Sequence, residues 1–458
     1  MSESIGNSGT GMKLHTKILI GLLIGAVLGI SANTFLGGDS PLVEGVNQYL
    51  AGPVGQIFLR LLFMIVIPLV FSSITLGVAG LGDLKRVGRV GGKAIGYFLG
   101  STALAVVLGL VIVSIIRPGE RIPEATRIEL METYSTDASS KVEAAATSEF
   151  GIQTLVNIVP RNPVKSAADL DMLGIIFFGI IFGAALTMIA AEKARPMLAV
   201  LEAINDAVIK IVEMAMKLAP YGVAALIFGV TSRFGFDVLK LLGWYVAVVL
   251  GALLLHVGVN ISLIIRFLVG MSPIVFFSRV RSALVTAFST SSSSATLPTA
   301  LATAENNLGI PKQIAGFVLP LGSTMCMNGT ALFEGITVIT LAQAFGVDLG
   351  LGQMAAVMVM SVVTAVGAAG VPGGSIPLLV GILVMFGVPA EGIAIVLGVD
   401  RILDMSRTTV NVCGDLSATA WVAKSEGVWD ASMVPSLEAT IEGGAPLDDS
   451  PGWPKPKV

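Results

Sequence analysis

Charge is scarce in this chain. Asp, Glu, Lys and Arg make up 13% of 458 residues, about half the roughly 25% of ordinary soluble domains. That excludes a soluble globular enzyme and a disordered chain. There is no basic excess either: 28 Lys and Arg stand against 31 Asp and Glu. A nucleic-acid binder needs cations to neutralise phosphates, so that class is excluded as well. Cysteine is reduced to Cys326 and Cys413, both in apolar surroundings, and no disulfide framework is implied. The two histidines, His15 and His256, lie far apart beside apolar runs and read as packing or interface residues, not metal ligands. Met1 to Gly11 is polar, uncharged apart from Glu3, and gives no secretory signal. The apolar stretch beyond Lys13 and Lys17 reads as a first membrane helix.

What abounds is apolar. Hydrophobic residues reach 54%, mean hydropathy is +0.86, and 53 residues are glycine, about 12% against a usual 7%. These numbers describe a polytopic α-helical membrane protein. A crossing needs about 20 mostly apolar residues, and such stretches are predicted at 15–36, 54–80, 92–116, 172–192, 205–231 and 239–268. Basic residues fall in alternate loops: Lys13 and Lys17, then Lys85, Arg86 and Arg89, then Lys193 and Arg195, then Arg266, Arg279 and Arg281. The positive-inside rule places those loops and the N-terminus in the cytoplasm. The longest opposite loop, 118–170, is mixed and acidic, with a stretch Ser135 to Ser148 rich in Ser, Ala and Thr. The proline-bearing tail from about Asp430 reads as disordered.

From about 274 to 425 the apolar chain is interrupted by polar or Gly/Pro clusters at membrane depth. Ser289 to Pro298 holds six consecutive hydroxyl residues, which lipid does not tolerate unless protein or water satisfies them. A re-entrant hairpin with a buried tip solves that; a Ser-rich surface loop is the plainer option. Gly370 to Pro377 divides two apolar runs too short for comfortable crossings, which suits a second hairpin better than a kinked helix. Cys326-Met327-Asn328-Gly329-Thr330 interrupts another run, and Gly329 permits unwinding that frees carbonyls for a cation. Helix packing through small residues explains Gly329 alone.

The stretch from Asp400 to Asp415 says most. At helical spacing Asp400, Asp404, Arg407, Thr408, Asn411 and Asp415 share one face, while Ile402, Leu403, Val410 and Val412 are apolar. Charges inside a membrane helix are costly and default to function. A cytoplasmic amphipathic helix, or an internal Asp404–Arg407 ion pair without a ligand, are the plainer readings. Arg offers a planar fork matched to a carboxylate, an Asp one turn away holds an ammonium, and a second Asp with Asn and backbone oxygens makes a hard cation site. The set suits a zwitterion bearing an extra carboxylate, taken up with cations.

These residues closely resemble the dicarboxylate/amino acid:cation symporter family, the glutamate transporter homologues, over about residues 14–427. The motifs that carry the resemblance are the serine-rich tip ending Thr296-Leu297-Pro298, Gly370-Val371-Pro372-Gly373, the Asp-Arg-Asn helix, and Asn157 to Pro163. The resemblance implies eight transmembrane helices, two re-entrant helical hairpins, inverted repeats and an elevator mechanism in a homotrimer. It divides the chain into a cytoplasmic N-terminus (1–13), scaffold helices (14–82), a transport-domain helix (83–117), an extracellular loop (118–170), further scaffold helices (171–233), a transport-domain core (234–428) and a cytoplasmic tail (429–458). The second hairpin would be the extracellular gate. The location implied is the plasma membrane of a bacterium, its inner membrane, multi-pass.

By matching position, Arg407 is expected to bind the substrate side-chain carboxylate and Asp404 its amino group. Thr330, Thr408, Asn411 and the backbone near Ser293 and Val371 complete the pocket. Gly322, Asn411 and Asp415 match one sodium site; Thr324, Ala365, Val366 and Ala368 match a second, built largely from carbonyls. A third cation site would draw on Cys326, Asn328, Ser101 and Thr102. Two departures bear on it. Asn328 stands where the family usually has an acid, and Cys326 is a soft, poor sodium ligand. Phe98 stands where the family often has Tyr. The additional Arg that members carry at the position of Ser291 or Met405 is absent.

The expected function is symport of acidic amino acids, aspartate or glutamate, with sodium and with protons as a further candidate; the alternative is a C4-dicarboxylate:cation symporter. Retention of Asp404 argues against the latter, and Arg407 against a neutral amino acid exchanger. An anion channel is separable by currents without substrate. An intramembrane enzyme lacks support: the interrupted half holds no His, and Lys312 and Lys424 sit at the ends of its polar stretches.

Overall fold

The computed structural model describes residues 14–121, 123, 128, 159–168, 172–368, 370, 372–389 and 392–434. Val371, Asn157, Ile158, Ser135 to Ser148 and the tail beyond 434 lie outside the described residues. The described elements are all helical, without a strand among them. Helices α1 (Leu14–Leu36), α2 (Pro41–Val46), α3 (Gly52–Phe63) and α4 (Val66–Val87) come first. Then follow α5 (Arg89–Ile116), α6 (Pro163–Ala168), α7 (Met172–Met188) and α8 (Ala191–Phe234). The second half comprises α9 (Asp237–Leu255), α10 (Pro273–Thr290), α11 (Ser293–Ala302), α12 (Lys312–Met325), α13 (Asn328–Ala344), α14 (Leu351–Val366), α15 (Ile376–Met385), α16 (Ile393–Leu397) and α17 (Asp400–Ser425). Six described stretches are long and apolar enough to cross a membrane: Thr16–Leu36, Pro41–Leu76, Arg89–Glu120, Ala191–Phe234, Asp237–Val269 and Lys312–Ala344.

Helix α1 shows how sequence dictates packing. Gly21, Gly25 and Gly29 recur every fourth residue and form one bare stripe. A Cβ at Gly21 or Gly25 would strike the carbonyls of Pro220 or Ala224, and one at Gly29 the hydroxyl of Thr231. The stripe therefore lets α1 lie backbone-close on α8, as small residues four apart do in lipid. Asn33 locks the end of this pair by donating to the carbonyls of Ser232 at 3.0 Å and Arg233 at 2.8 Å.

Several predicted spans take a different form. The stretch 54–80 is broken at Met64 and Ile65, between α3 and α4. Pro68 has no N–H to give the Met64 carbonyl, so the ladder cannot run through. Span 205–231 is the inside of a helix of 44 residues that absorbs Pro196 and Pro220. Span 239–268 begins as α9 and ends in two π-helical turns, His256–Ile261 and Ile264–Val269. His256 is buried in the first, its Nδ1 3.1 Å from Asn260 Nδ2.

The serine-rich stretch breaks between α10 and α11. Ser291 adopts a left-handed conformation (φ 52°) that ends α10. Extended Ser292 caps α11, its hydroxyl accepting the Ala295 N–H at 3.1 Å. The chain doubles back there: Ser282 meets Thr303 at 3.2 Å and Asn307 donates to the Arg279 carbonyl at 2.9 Å. The break at 326–330 falls on Cys326 and Met327, ahead of Gly329, which sits in the first turn of α13. A Cβ at Gly329 would strike the Arg407 backbone, so close approach, not unwinding, accounts for this glycine.

Helix α17 is buried on almost every side, from Arg407 to Ala423. Its Leu403 and Val410 join one apolar core with α13, α15 and α16, while Val412 and Leu416 join another with α10 and α12. The start of the predicted tail is not loose: Trp429 is 2% exposed and its Nε1 donates to the Leu308 carbonyl at 2.8 Å. Glu426, just past α17, takes a forked pair of bonds from Arg89 and an ion pair from Lys93 at 2.7 Å.

Candidate functional site

The break at Ser291 and Ser292 meets the segment around Gly370 that separates α14 from α15. The Ser292 hydroxyl donates to the Gly370 carbonyl at 2.6 Å, and the Ser294 N–H reaches the same oxygen at 3.3 Å. Ser293 donates to the Ser323 carbonyl at 2.9 Å, tying the first break to α12. Beneath them a cavity is lined by Ser291, Ser293, Met327, Thr330, Ala368, Gly370, Ser375, Asp404, Arg407, Thr408 and Asn411. The predicted substrate residues Ser293, Thr330, Asp404, Arg407, Thr408 and Asn411 are thus brought to one place.

Arg407 is 1% exposed, its Cζ 4.2 Å from the ring centroid of Phe333, a cation–π placement. Nη1 donates to Asp400 Oδ1 at 2.8 Å and Nε to Asp404 Oδ1 at 3.1 Å. Nη2 lies 2.9 Å from Asp404 Oδ1 but off the angle of a hydrogen bond, and is left without a hydrogen-bond partner among the described residues. The Asp404–Arg407 ion pair weighed from sequence therefore exists, yet leaves guanidinium donors over. Asp404 Oδ2 accepts the N–H of Gly373, whose φ of 75° only glycine adopts comfortably.

Asn411 fixes the opening of α13. Its Oδ1 accepts the N–H groups of Gly329 at 2.8 Å and Thr330 at 3.3 Å, and its Nδ2 donates to the Thr330 hydroxyl at 3.0 Å. One turn on, Asp415 Oδ1 is buried without a hydrogen-bond partner among the described residues. A Cβ at Gly322 would stand 2.6 Å from that oxygen, so the predicted Gly322 and Asp415 are neighbours, and only a glycine leaves the carboxylate room. The other predicted cation set is less tightly drawn. Ala368 lines the cavity, its N–H engages the Ala365 carbonyl at 3.2 Å, Val366 packs between helices, and Thr324 is exposed, donating to its own helix at Leu321.

Ser101, Thr102, Cys326 and Asn328 do converge. Asn328 Oδ1 accepts the Thr102 hydroxyl at 2.7 Å, the Ser101 hydroxyl at 3.4 Å and the Cys326 thiol at 3.6 Å. All four groups are neutral, and the amide oxygen already takes the protons that an incoming cation would have to displace.

Two groups escaped the sequence reading. Glu334 is fully buried on α13, with Oε2 accepting the Thr364 hydroxyl at 2.8 Å and Oε1 unpartnered among the described residues. An acid inside a wholly buried apolar helix is a signal by cost alone, but it lies outside the polar clusters. Arg401, which shares that face in the sequence, was given no role there, yet its Nη1 reaches Asp404 Oδ2 at 3.6 Å.

A model of the sodium:dicarboxylate symporter family matches residues 14–425. The chain belongs to this family. Among its relatives is a proton/sodium-glutamate symport protein of Bacillus subtilis (strain 168), 37% identical over 440 residues, covering 94% of this chain and 98% of the relative. A proton/glutamate-aspartate symporter of Escherichia coli (strain K12) is 36% identical over 426 residues, covering 92% and 96%. A C4-dicarboxylate transport protein of Bacillus subtilis (strain 168) is 34% identical over 392 residues, covering 85% and 90%. Family and relatives are transporters, and this member is a symporter of the family, not an enzyme.

Proposed function

We propose that this symporter takes up acidic amino acids, aspartate or glutamate, together with cations. The observation that carries the reading is Arg407, a buried guanidinium lining a polar cavity, whose Nη2 is ion-paired to Asp404 at 2.9 Å but has no hydrogen-bond partner among the described residues. Such a donor is costly unless a carboxylate completes it. Arg407 takes the side-chain carboxylate and Asp404 the amino group. Thr330, Thr408, Asn411, Ser293 and the backbone near Val371 hold the remainder.

Sodium is the first candidate for the coupling ion, held by Asp415 with oxygens of Gly322 and Asn411, and by the carbonyls of Thr324, Ala365, Val366 and Ala368. The neutral cluster around Asn328 argues for one cation fewer than a carboxylate there would support. Protons are the second candidate, and Glu334 is the buried carboxylate proposed to take one. Architecturally, the reading is eight transmembrane helices and two re-entrant hairpins in inverted repeats, a homotrimeric scaffold (14–82 and 171–233), and a transport domain (83–117 and 234–428) that moves as an elevator in a bacterial inner membrane. The join of Ser292 to Gly370 is consistent with paired hairpin tips closing over substrate.

The test is accumulation of labelled aspartate in proteoliposomes holding the purified protein. Accumulation above the external concentration, with the label recovered as aspartate, supports the reading. Equilibration without accumulation contradicts coupling. Uptake of C4-dicarboxylates with no response to aspartate would favour the dicarboxylate alternative, in line with the third relative named above.

A further inference from the structure

Asp404 is pressed from two sides. Arg407 occupies its Oδ1. At Oδ2, alongside the Gly373 N–H, stands Arg401, its Nη1 3.6 Å away and its side chain only 11% exposed. Arg401 is not a solvated surface charge that has swung inward. It lies in a recess whose remaining walls include Ile18, Phe58, Met216 and Val223, contributed by α1, α3 and α8, and its Nε is buried without a hydrogen-bond partner among the described residues. Asp404 is the carboxylate at ion-pair distance from it. Along α17, Arg401, Asp404, Arg407 and Asp400 thus form a chain of alternating charges whose formal sum is zero.

This balance bears on what the site can accept. A carboxylate that enters to meet Arg407 draws that guanidinium away from Asp404. Without Arg401, Asp404 would then be an isolated buried charge, and only a substrate carrying its own ammonium could compensate it. With Arg401 present, Asp404 keeps a cation whatever the substrate brings. An ammonium gains less, because it must share Asp404 with a guanidinium already there, and a dicarboxylate without an amino group loses less. We propose that Arg401 is a specificity-determining residue, one that relaxes the requirement for an amino group and lets the site take C4-dicarboxylates beside acidic amino acids. It touches Asp404, not the substrate, and acts by positioning charge. The inference rests on the proposed uptake of acidic substrates at Arg407.

The experiment measures binding of aspartate and of succinate to the purified full-length protein, unmodified and as Arg401→Gln, Arg401→Met and Arg401→Lys. The methionine variant matches the apolar recess and serves where the glutamine variant does not fold. Both uncharged variants are expected to tighten aspartate and weaken succinate, moving the ratio of their affinities by about tenfold or more, the effect of one well-placed charge. The lysine variant should stay near the unmodified ratio. A merely structural Arg401 would move both affinities together, and a ratio unchanged within about threefold overturns the proposal. The unmodified protein is expected to bind succinate within about a hundredfold of aspartate; failure of succinate to compete at all also overturns it. Binding of neither ligand would instead sink the uptake reading itself.

Discussion

The hydroxyl of Ser292 and the carbonyl of Gly370, 78 residues apart in sequence, are joined at 2.6 Å. The same hydroxyl oxygen caps α11 through the Ala295 N–H. One side chain therefore shapes a helix start and ties two chain breaks together above the cavity.

Ser292→Ala removes both bonds. A lost N-cap costs about 1 kcal/mol and a lost hydrogen bond about the same. The expected outcome is a lower thermal midpoint in detergent, with Ser292→Thr close to wild type because the hydroxyl stays. An alanine variant that melts with the wild type would show that the join contributes nothing.

Arg407→Ala is expected to weaken aspartate binding by about a hundredfold or more. Truncating one partner of a buried charged pair costs about 2–5 kcal/mol, and here Asp400 and Asp404 would also lose their shared cation. Isothermal titration on the purified variant checks this. Undiminished affinity removes Arg407 from the carboxylate role.

Asp415 and Gly322 should fail in parallel. Asp415→Asn withdraws the charge from a buried oxygen without a hydrogen-bond partner among the described residues, and Gly322→Ala places a methyl 2.6 Å from the same oxygen. Each is expected to shift the sodium activation midpoint by about tenfold while leaving the ratio of aspartate to glutamate affinity unchanged. Wild-type sodium activation in both variants would contradict a cation role for Asp415.

At the end of α17, the Arg89 fork holds the Glu426 carboxyl below the usual carboxylate range, with Lys93 adding to the effect. A depressed acid contributes stability above its unfolded value, near 4.3, and loses it as pH falls through the lower folded value. Thermal midpoints taken from pH 7 down to pH 3 should therefore fall more for the wild type than for Glu426→Gln. Parallel curves would mean the fork adds no pH-dependent stability.

Much of this was legible from residue types. The Ser-rich break and the polar face from Asp400 to Asp415 follow from polar groups that lipid would not tolerate unpaired, whereas the grouping of Ser101, Thr102, Cys326 and Asn328 came from the family resemblance. The helical period and the glycine and proline positions mark where elements start and stop. What stayed hidden depends on how helices cross. No local pattern shows that Ser292 meets Gly370 or that Trp429 reaches the Leu308 carbonyl. Pro68 carried the signal for the break after Phe63, but the surrounding hydrophobicity masks it. Gly329 was assigned to unwinding because close approach to Arg407 is a property of two helices, not of one.

The most direct test of cation-coupled uptake is labelled aspartate transport into proteoliposomes with sodium and proton gradients imposed one at a time. An inward sodium gradient alone should drive accumulation, because Asp415 and its neighbours do not depend on the neutral Asn328 cluster. Accumulation that follows neither gradient, or that persists with both collapsed, would contradict the account.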